Sequence, residues 1–202
     1  HFAALVAEAE PHFIRPERPQ WVERLLADLE NIREALAWSR SHEPELHIRL
    51  AGMLWWFWFS TRHWTEAGRV LADALALPEA ARSDGRARLL FAAGALAALQ
   101  ARTALEEAVT IAQASGDEQL VAFARNYLGM TYASEARPEG KALCEMAADW
   151  FERNGDLYGL RLALLLLGTT ALGQGQLDES AALSRRGVEI ARAFGQPREL
   201  AI

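Results

Sequence analysis

The sequence predicts an all-α protein, and three features of its 202 residues support that fold class. Alanine and leucine number 39 and 30, whereas valine and isoleucine number six each, so strong helix formers greatly outnumber β-branched residues. Glycines recur at fixed intervals, which is typical of a repeated helical unit. Apolar residues recur at spacings of three and four, the period of an amphipathic helix; one such run is Leu157, Leu160, Leu164, Leu167 and Ala171.

Residues 1–41 do not fit the repeated unit and are predicted to form an N-terminal helical connector or cap. Helices over 1–9 and 18–41 are expected, separated by a segment rich in proline, which disrupts helix interiors. Residues 42–202 are predicted to form an array of helix pairs that is truncated at its C-terminal end. The expected helices of the array span 45–60, 63–77, 84–100, 102–115, 118–134, 139–154, 157–174 and 177–194.

The repeated unit is about 40 residues long, as the glycines show. Gly116 and Gly129 are 13 residues apart, as are Gly155 and Gly168, and an aspartate follows the first glycine of each pair. The intervals from Gly116 to Gly155 and from Gly155 to Gly195 are 39 and 40 residues. Glycine suits the left-handed residue that ends a helix, and aspartate suits the N-cap of the next helix. The spacing therefore predicts antiparallel helix pairs.

Gly129 and Gly168 fall in the middle of predicted helices, where glycine costs about 1 kcal/mol relative to alanine. Close approach of a neighbouring helix would explain both residues. On that hypothesis, Gly168→Leu destabilises the protein by roughly 1–3 kcal/mol through overpacking.

The spacing is irregular at the junction of Gln100 and Ala101. Four or five residues are lacking there relative to the other units, and no Gly, Pro, Asn or Asp is present to turn the chain. Either two helices fuse, or a turn is missing from the sequence. We favour a missing turn, which predicts a Cα separation well above the roughly 3.8 Å of bonded residues.

The helix pairs resemble the tetratricopeptide repeat, in a variant longer than its usual length of about 34 residues. The resemblance implies a right-handed superhelix in which the first helix of each pair lines a concave binding surface. The segments WVERLLADLENIREALAWS (21–39) and LAGMLWWFWFSTRHWTEAGRVLADAL (50–75) resemble the region that follows the nucleotide-binding and winged-helix modules of bacterial signal-transduction ATPases. These include LuxR-type and antibiotic-regulatory-type transcriptional regulators. The resemblance implies adjacent ATP-binding and DNA-binding modules elsewhere in a parent chain.

Charge and cysteine content exclude several function classes. The net charge of −6 argues against direct contact with nucleic acid and against a polybasic membrane patch. The chain has one cysteine and no apolar run near 18 residues, so a cytoplasmic location is expected, with no disulfide and no membrane span. The first methionine is Met53, which suggests a piece of a longer polypeptide.

No catalytic, cofactor-binding or metal-binding residue is predicted, and the chain is expected not to be an enzyme. Lys141 follows Gly140, but Glu135 and Ala142 stand where a phosphate loop needs Gly and Ser or Thr. Cys144 is expected to be a small buried side chain. No two histidines have the i, i+4 spacing that places two ligands on one helix face; they are His1, His12, His42, His47 and His63.

The aromatic run LWWFWFSTRHW is the strongest local anomaly of composition. It includes Trp55, Trp56, Trp58 and Trp64. We expect a helix that is buried on all sides. The alternative is an aromatic groove for a peptide or apolar ligand, which would leave at least two of the tryptophans exposed.

Residues near the mid-helix glycines are predicted to line the concave surface. They form a mixed, mostly apolar set, suited to a protein, a peptide or a small-molecule inducer. The predicted binding residues are Arg88, Phe91, Phe123, Asn126, Met130, Leu162, Leu165 and Thr169. The favoured function is the sensor region of a bacterial regulator or signalling ATPase, and the alternative is a free-standing scaffold for protein assembly.

Overall fold

A computed structural model describes residues 1–97, 102–135 and 137–193. Within those ranges the chain forms twelve α-helices and two 3₁₀ turns, and no strand occurs there. The prediction of an all-α protein is confirmed. None of the helices in these ranges combines the length and hydropathy needed to cross a bilayer. The chain divides into two compact units, His1–Ala97 and Ala98–Ile202.

The first unit contains seven helices in its described residues. They are α1 Phe2–Ala9, α2 Arg18–Ala27, α3 Leu29–His42, α4 Pro44–Met53, α5 Trp55–Thr61, α6 Trp64–Leu75 and α7 Arg86–Ala97, with 3₁₀ turns at Glu10–His12 and Pro78–Ala81.

Two helices of this unit were predicted as continuous, and both predictions are wrong. The expected helix 18–41 is interrupted at Asp28, where φ is −103° and ψ is 12°. The expected helix 45–60 is interrupted at Leu54, between α4 and α5. Neither position carries the proline or glycine that ordinarily marks a break.

The core of the first unit is built around α4, which contacts α1, α3, α6 and α7. The aromatic run follows it in α5 and at the start of α6. Trp55, Trp56 and Trp58 are no more than 8% exposed, whereas Trp64 is 39% exposed. The prediction of burial is therefore confirmed for residues 54–58 and is wrong for the end of the run, where Trp64 is exposed. The aromatic-groove alternative is wrong, because it required two exposed tryptophans.

Ion pairs join α3 to α6. Arg33 donates to both carboxylate oxygens of Glu66, at 2.8 and 2.6 Å, and Arg40 donates to Asp73 at 2.9 Å. A two-pronged arginine–carboxylate contact fixes geometry as well as charge. It holds the pKa of Glu66 below its usual value.

The second unit consists of helices of 14 to 17 residues in its described part. They are α8 Arg102–Ser115, α9 Glu118–Ser134, α10 Glu139–Arg153, α11 Leu157–Gly173 and α12 Leu177–Ala193. The predicted spans agree with these bounds to within one residue, apart from residue 194, which lies outside the described ranges.

The predicted and observed helix bounds agree because glycine and aspartate residues end one helix and begin the next. Gly116 and Gly155 have φ of +76° and +66°, the left-handed conformation that glycine adopts without strain. The Asp117 carboxylate accepts a hydrogen bond from the Leu120 amide at 3.0 Å, and Asp156 accepts from the Gly159 amide at 2.8 Å. Both aspartates therefore cap the following helix.

Contacts between α9 and α10 show that these helices are antiparallel. At one end, the Trp150 indole donates to Glu118 at 3.1 Å. At the other end, a Cβ added to Gly129 would lie 2.7 Å from the carbonyl oxygen of Gly140. The predicted close approach is confirmed at Gly129. It is wrong at Gly168, where an added Cβ would find its nearest atom at 3.6 Å, an ordinary packing distance.

The junction of Gln100 and Ala101 lies outside the described residues. The expected Cα separation there stays a prediction.

Candidate binding groove

A cavity of about 560 Å³ lies in the second unit and is formed by the C-terminal halves of α9 and α11 and the start of α10. We call it the α9–α11 groove. Its size falls in the range of ligand pockets, roughly 300–1,000 Å³. It is lined by Met130, Ala133, Ser134, Arg137, Pro138, Lys141, Leu166, Thr169, Thr170, Gly173 and Gln174.

The lining combines apolar carbon with hydroxyl groups. Ser134 donates its hydroxyl hydrogen to the Thr131 carbonyl at 2.7 Å. Thr169 and Thr170 both donate to the Leu166 carbonyl at 2.9 Å. Since these hydrogens are used within the helices, the hydroxyl oxygens are available chiefly as acceptors. The groove can therefore accept hydrogen bonds from a ligand and cover its apolar parts.

Two cations line the groove at the start of α10, and no Asp or Glu is among its lining residues. The Arg137 guanidinium lies 4.0 Å from the centroid of the Tyr132 ring and donates to Glu139 at 3.3 Å. Lys141 donates to Glu179 of α12 at 2.9 Å, and this hydrogen bond raises the pKa of Lys141. Lys141 is consequently protonated at neutral pH and links α10 to α12.

Two of the eight predicted binding residues, Met130 and Thr169, line this groove. Leu162 and Leu165 are partly exposed on α11 but are not part of the lining. Phe123 is 4% exposed, and its ring packs 4.7 Å from that of Phe151.

Asn126 is fully buried on α9, one turn before Met130. Neither its amide nitrogen nor its amide oxygen has a hydrogen-bond partner among the described residues. A buried polar group without a partner costs about 1–3 kcal/mol. The position therefore carries an unfavourable side chain next to the groove.

The other two predicted residues, Arg88 and Phe91, belong to the first unit. Arg88 is ion-paired with Glu10 at 3.0 Å. Phe91 is 2% exposed and packs against the rings of Trp55 and Trp56. In the first unit they contribute to an ion pair and to the aromatic core.

Sequence reasoning missed much of the lining, although the repeat spacing could have found part of it. Met130 and Thr169 are 39 residues apart, and one helical turn later Ser134 and Gly173 are also 39 apart. Extending the predicted positions by one turn would have located them. Lys141 could not be found this way, because it comes from the second helix of the pair.

Cys144 is not part of the groove. It is 1% exposed, and its thiol donates to the Asn126 carbonyl at 3.6 Å. Burial raises the pKa of the thiol to about 12. The prediction of a small buried side chain is confirmed.

A scan against protein-family models found no match to this chain, and a search of curated proteins found no matching relative.

Proposed function

We propose that this chain is a non-catalytic binding module built from tetratricopeptide-like helix pairs that stack into a right-handed superhelix. Contacts between successive pairs in the second unit support this proposal. Gln119 donates to Asp156 at 3.1 Å across 37 residues, and Lys141 donates to Glu179 at 2.9 Å across 38. Both separations are close to the 39-residue repeat, as expected when equivalent helices of neighbouring units lie side by side.

The ligand surface of this module is the α9–α11 groove, and its partner is a protein segment, a peptide or a small-molecule inducer. The observation that carries this assignment is the position of Met130 and Thr169. These residues occupy equivalent places in successive units and line the same cavity. A lining of apolar carbon, acceptor hydroxyls and two cations suits a ligand with both polar and apolar parts.

The module's role is to act as the sensor of a bacterial regulator or signalling ATPase, with adjacent nucleotide-binding and DNA-binding modules in the parent chain. Ligand binding would shift the parent between resting and active states. The support is the resemblance of segments 21–39 and 50–75 to that region of such regulators. The alternative is a free-standing scaffold. A phosphate-loop motif encoded upstream of His1 favours the sensor, and an initiator methionine a few codons upstream favours the scaffold.

The binding function is tested by screening peptides and metabolites for thermal stabilisation of the chain. The groove variant is Thr169→Arg, which places a long cation in the groove. The matched control is Thr110→Arg, because Thr110 is also an exposed threonine whose hydroxyl donates to its own helix. Ligands should stabilise the wild type and the control but not the groove variant. Equal stabilisation of all three proteins by every ligand would contradict the groove as the binding surface.

A further inference from the structure

A second cavity, of about 370 Å³, lies between α8, α9 and α10 and shares no lining residue with the α9–α11 groove. We call it the α8–α10 cavity. Its lining is different in character, because it brings together two arginines, a tryptophan and a methionine. The lining residues are Ala112, Gln113, Gly116, Glu118, Val121, Ala122, Arg125, Met146, Trp150 and Arg153.

The two arginines are the feature that calls for an explanation. Among the described residues, no carboxylate lies within ion-pair distance of Arg125 or Arg153, whereas Arg102, Arg137 and Lys141 of the same unit are all paired. The Nε of Arg153 donates to the Asp149 carbonyl at 3.1 Å, which uses one of its five N–H donors.

Helix electrostatics account for one of these cations only. Arg153 ends α10, where a cation interacts favourably with the helix C-terminus. Arg125 lies in the middle of α9, two turns from either end, where the helix dipole gives no such benefit. Arg125 is partly exposed and lines the cavity, so its guanidinium is free to contact a ligand there.

The Trp150 side chain, which forms the aromatic part of the cavity, is held by two contacts. The Trp150 indole donates to Glu118 at 3.1 Å and meets the Phe151 ring edge-on, with centroids 5.7 Å apart. Met146 is 48% exposed on the same helix, one turn earlier. Val121 and Ala122, which also line the cavity, are buried. An aromatic or aliphatic group can pack here against these apolar side chains.

Few groups in the cavity would repel an anion. Glu118 is the one carboxylate in the lining, and it already accepts the Trp150 hydrogen bond. Two carbonyls near the C-terminus of α8 are also occupied, since Ala112 accepts from the Asp117 amide at 3.0 Å and Gln113 accepts from the Gly116 amide at 3.3 Å. Two cations against one carboxylate leave the lining net positive, on a chain whose net charge is −6.

From this geometry we infer that the α8–α10 cavity binds a small organic anion, namely a carboxylate or phosphate group attached to an aromatic or apolar body. Arginine is the side chain best suited to two-pronged contact with either anionic group. Trp150 and Met146 cover the apolar body. The volume fits a molecule at the small end of the usual ligand range, which begins near roughly 300 Å³. This site is independent of the α9–α11 groove.

The chain offers a direct readout, because its only methionines are Met53, Met130 and Met146. With [¹³C-methyl]methionine, NMR reports separately on the first unit, the α9–α11 groove and the α8–α10 cavity. The probes are phenyl phosphate and benzoate, which distinguish the two anionic groups, with benzyl alcohol as the uncharged control. Inorganic phosphate tests whether the apolar body contributes.

We expect phenyl phosphate or benzoate to shift the Met146 signal saturably while Met53 and Met130 stay unchanged. Benzyl alcohol and inorganic phosphate should bind at least about tenfold more weakly, because the first lacks the anionic group and the second lacks the apolar body. Arg125→Gln and, separately, Arg153→Gln should also weaken binding about tenfold, since each removes charge-assisted hydrogen bonds. Arg185→Gln is the control, because Arg185 is an exposed arginine on α12, away from the cavity.

Circular dichroism and melting temperature confirm that each variant is folded. If Arg125→Gln is unstable, the exposed Arg153→Gln variant decides the question. The inference is overturned if neither anion shifts Met146 at concentrations up to about 10 mM, a limit corresponding to very weak binding. It is also overturned if the arginine variants bind as tightly as Arg185→Gln, or if all three methionines shift together.

Discussion

Gly129 and Gly140 lie in direct backbone contact where α9 crosses α10. A Cβ on Gly129 would lie 2.7 Å from the Gly140 carbonyl oxygen, and a Cβ on Gly140 would lie 2.6 Å from the Gly129 carbonyl oxygen. Cβ atoms essentially never approach backbone this closely. The crossing therefore requires glycine on both helices. The two glycines determine how closely α9 and α10 pack.

Gly129→Ala should destabilise the second unit by about 1–3 kcal/mol, because overpacking outweighs the gain in helix propensity of about 1 kcal/mol. Gly168→Ala is the matched control at the equivalent position. It has room for a Cβ, so it should be neutral or up to about 1 kcal/mol more stable. Urea unfolding of both variants provides the measurement. Equal effects would show that the crossing does not depend on Gly129.

Asp156→Ala should lower stability by about 1–2 kcal/mol, because it removes the N-cap of α11. It also removes the contact with Gln119 of the preceding unit. Asp156→Asn should retain most of the stability, since asparagine caps a helix about as well as aspartate. Denaturant midpoints of the two variants test this expectation. An asparagine variant as unstable as the alanine variant would mean that the charge, not the cap, is what matters.

The second unit was predictable because its boundaries are encoded locally. Gly116, Asp117, Gly155 and Asp156 end one helix and start the next by their own backbone and hydrogen-bonding preferences. The breaks at Asp28 and Leu54 in the first unit carry no comparable local signal, so tertiary packing decides them.

The candidate groove was predictable only in part. Periodicity places residues on a helix face but does not say what covers that face. Because α9 contacts α8, α10 and α11, Phe123 and Asn126 are buried although their spacing matches that of Met130. The α8–α10 cavity was not predicted, because the repeat spacing does not show that Arg125 of α9 and Arg153 of α10 face the same cavity.

Asn126→Leu should leave the protein as stable as the wild type or about 1 kcal/mol more stable. The reason is that an unpartnered buried amide is replaced by an apolar side chain of similar size. Asn126→Asp is the contrasting variant and should be strongly destabilising, because it buries a charge. Thermal and urea unfolding test both. A clear loss of stability in Asn126→Leu would show that the amide makes a favourable interaction in the folded protein.

His47 should make the first unit less stable in acid. It is 3% exposed, its Nδ1 lies 3.0 Å from the Leu36 carbonyl, and its Nε2 has no partner among the described residues. Burial lowers the pKa of His47 below its usual value, and the hydrogen bond to the Leu36 carbonyl opposes this lowering only in part. The folded state therefore favours neutral imidazole, and the unfolded state takes up a proton first as pH falls.

The contribution of neutral His47 to the free energy of unfolding is therefore fully present above about pH 6.5. Below that pH it declines, by at most about 1.4 kcal/mol per pH unit. His47→Gln should flatten this decline between about pH 7 and pH 5. Tryptophan fluorescence during urea unfolding reports mainly on the first unit, because six of the seven tryptophans lie there. An identical pH profile for variant and wild type would rule out this contribution.

Binding of the module's ligand in the α9–α11 groove should be visible at the Met130 methyl group, which lies in the groove lining. A peptide or metabolite that raises the melting temperature should be titrated into the [¹³C-methyl]methionine-labelled chain. If the ligand binds in the groove, the Met130 signal should shift saturably, the Met53 signal should stay unchanged, and the Met130 shift should be lost in Thr169→Arg but not in Thr110→Arg. A stabilising ligand that leaves the Met130 signal unmoved, or that shifts it equally in both threonine variants, would show that the ligand binds elsewhere.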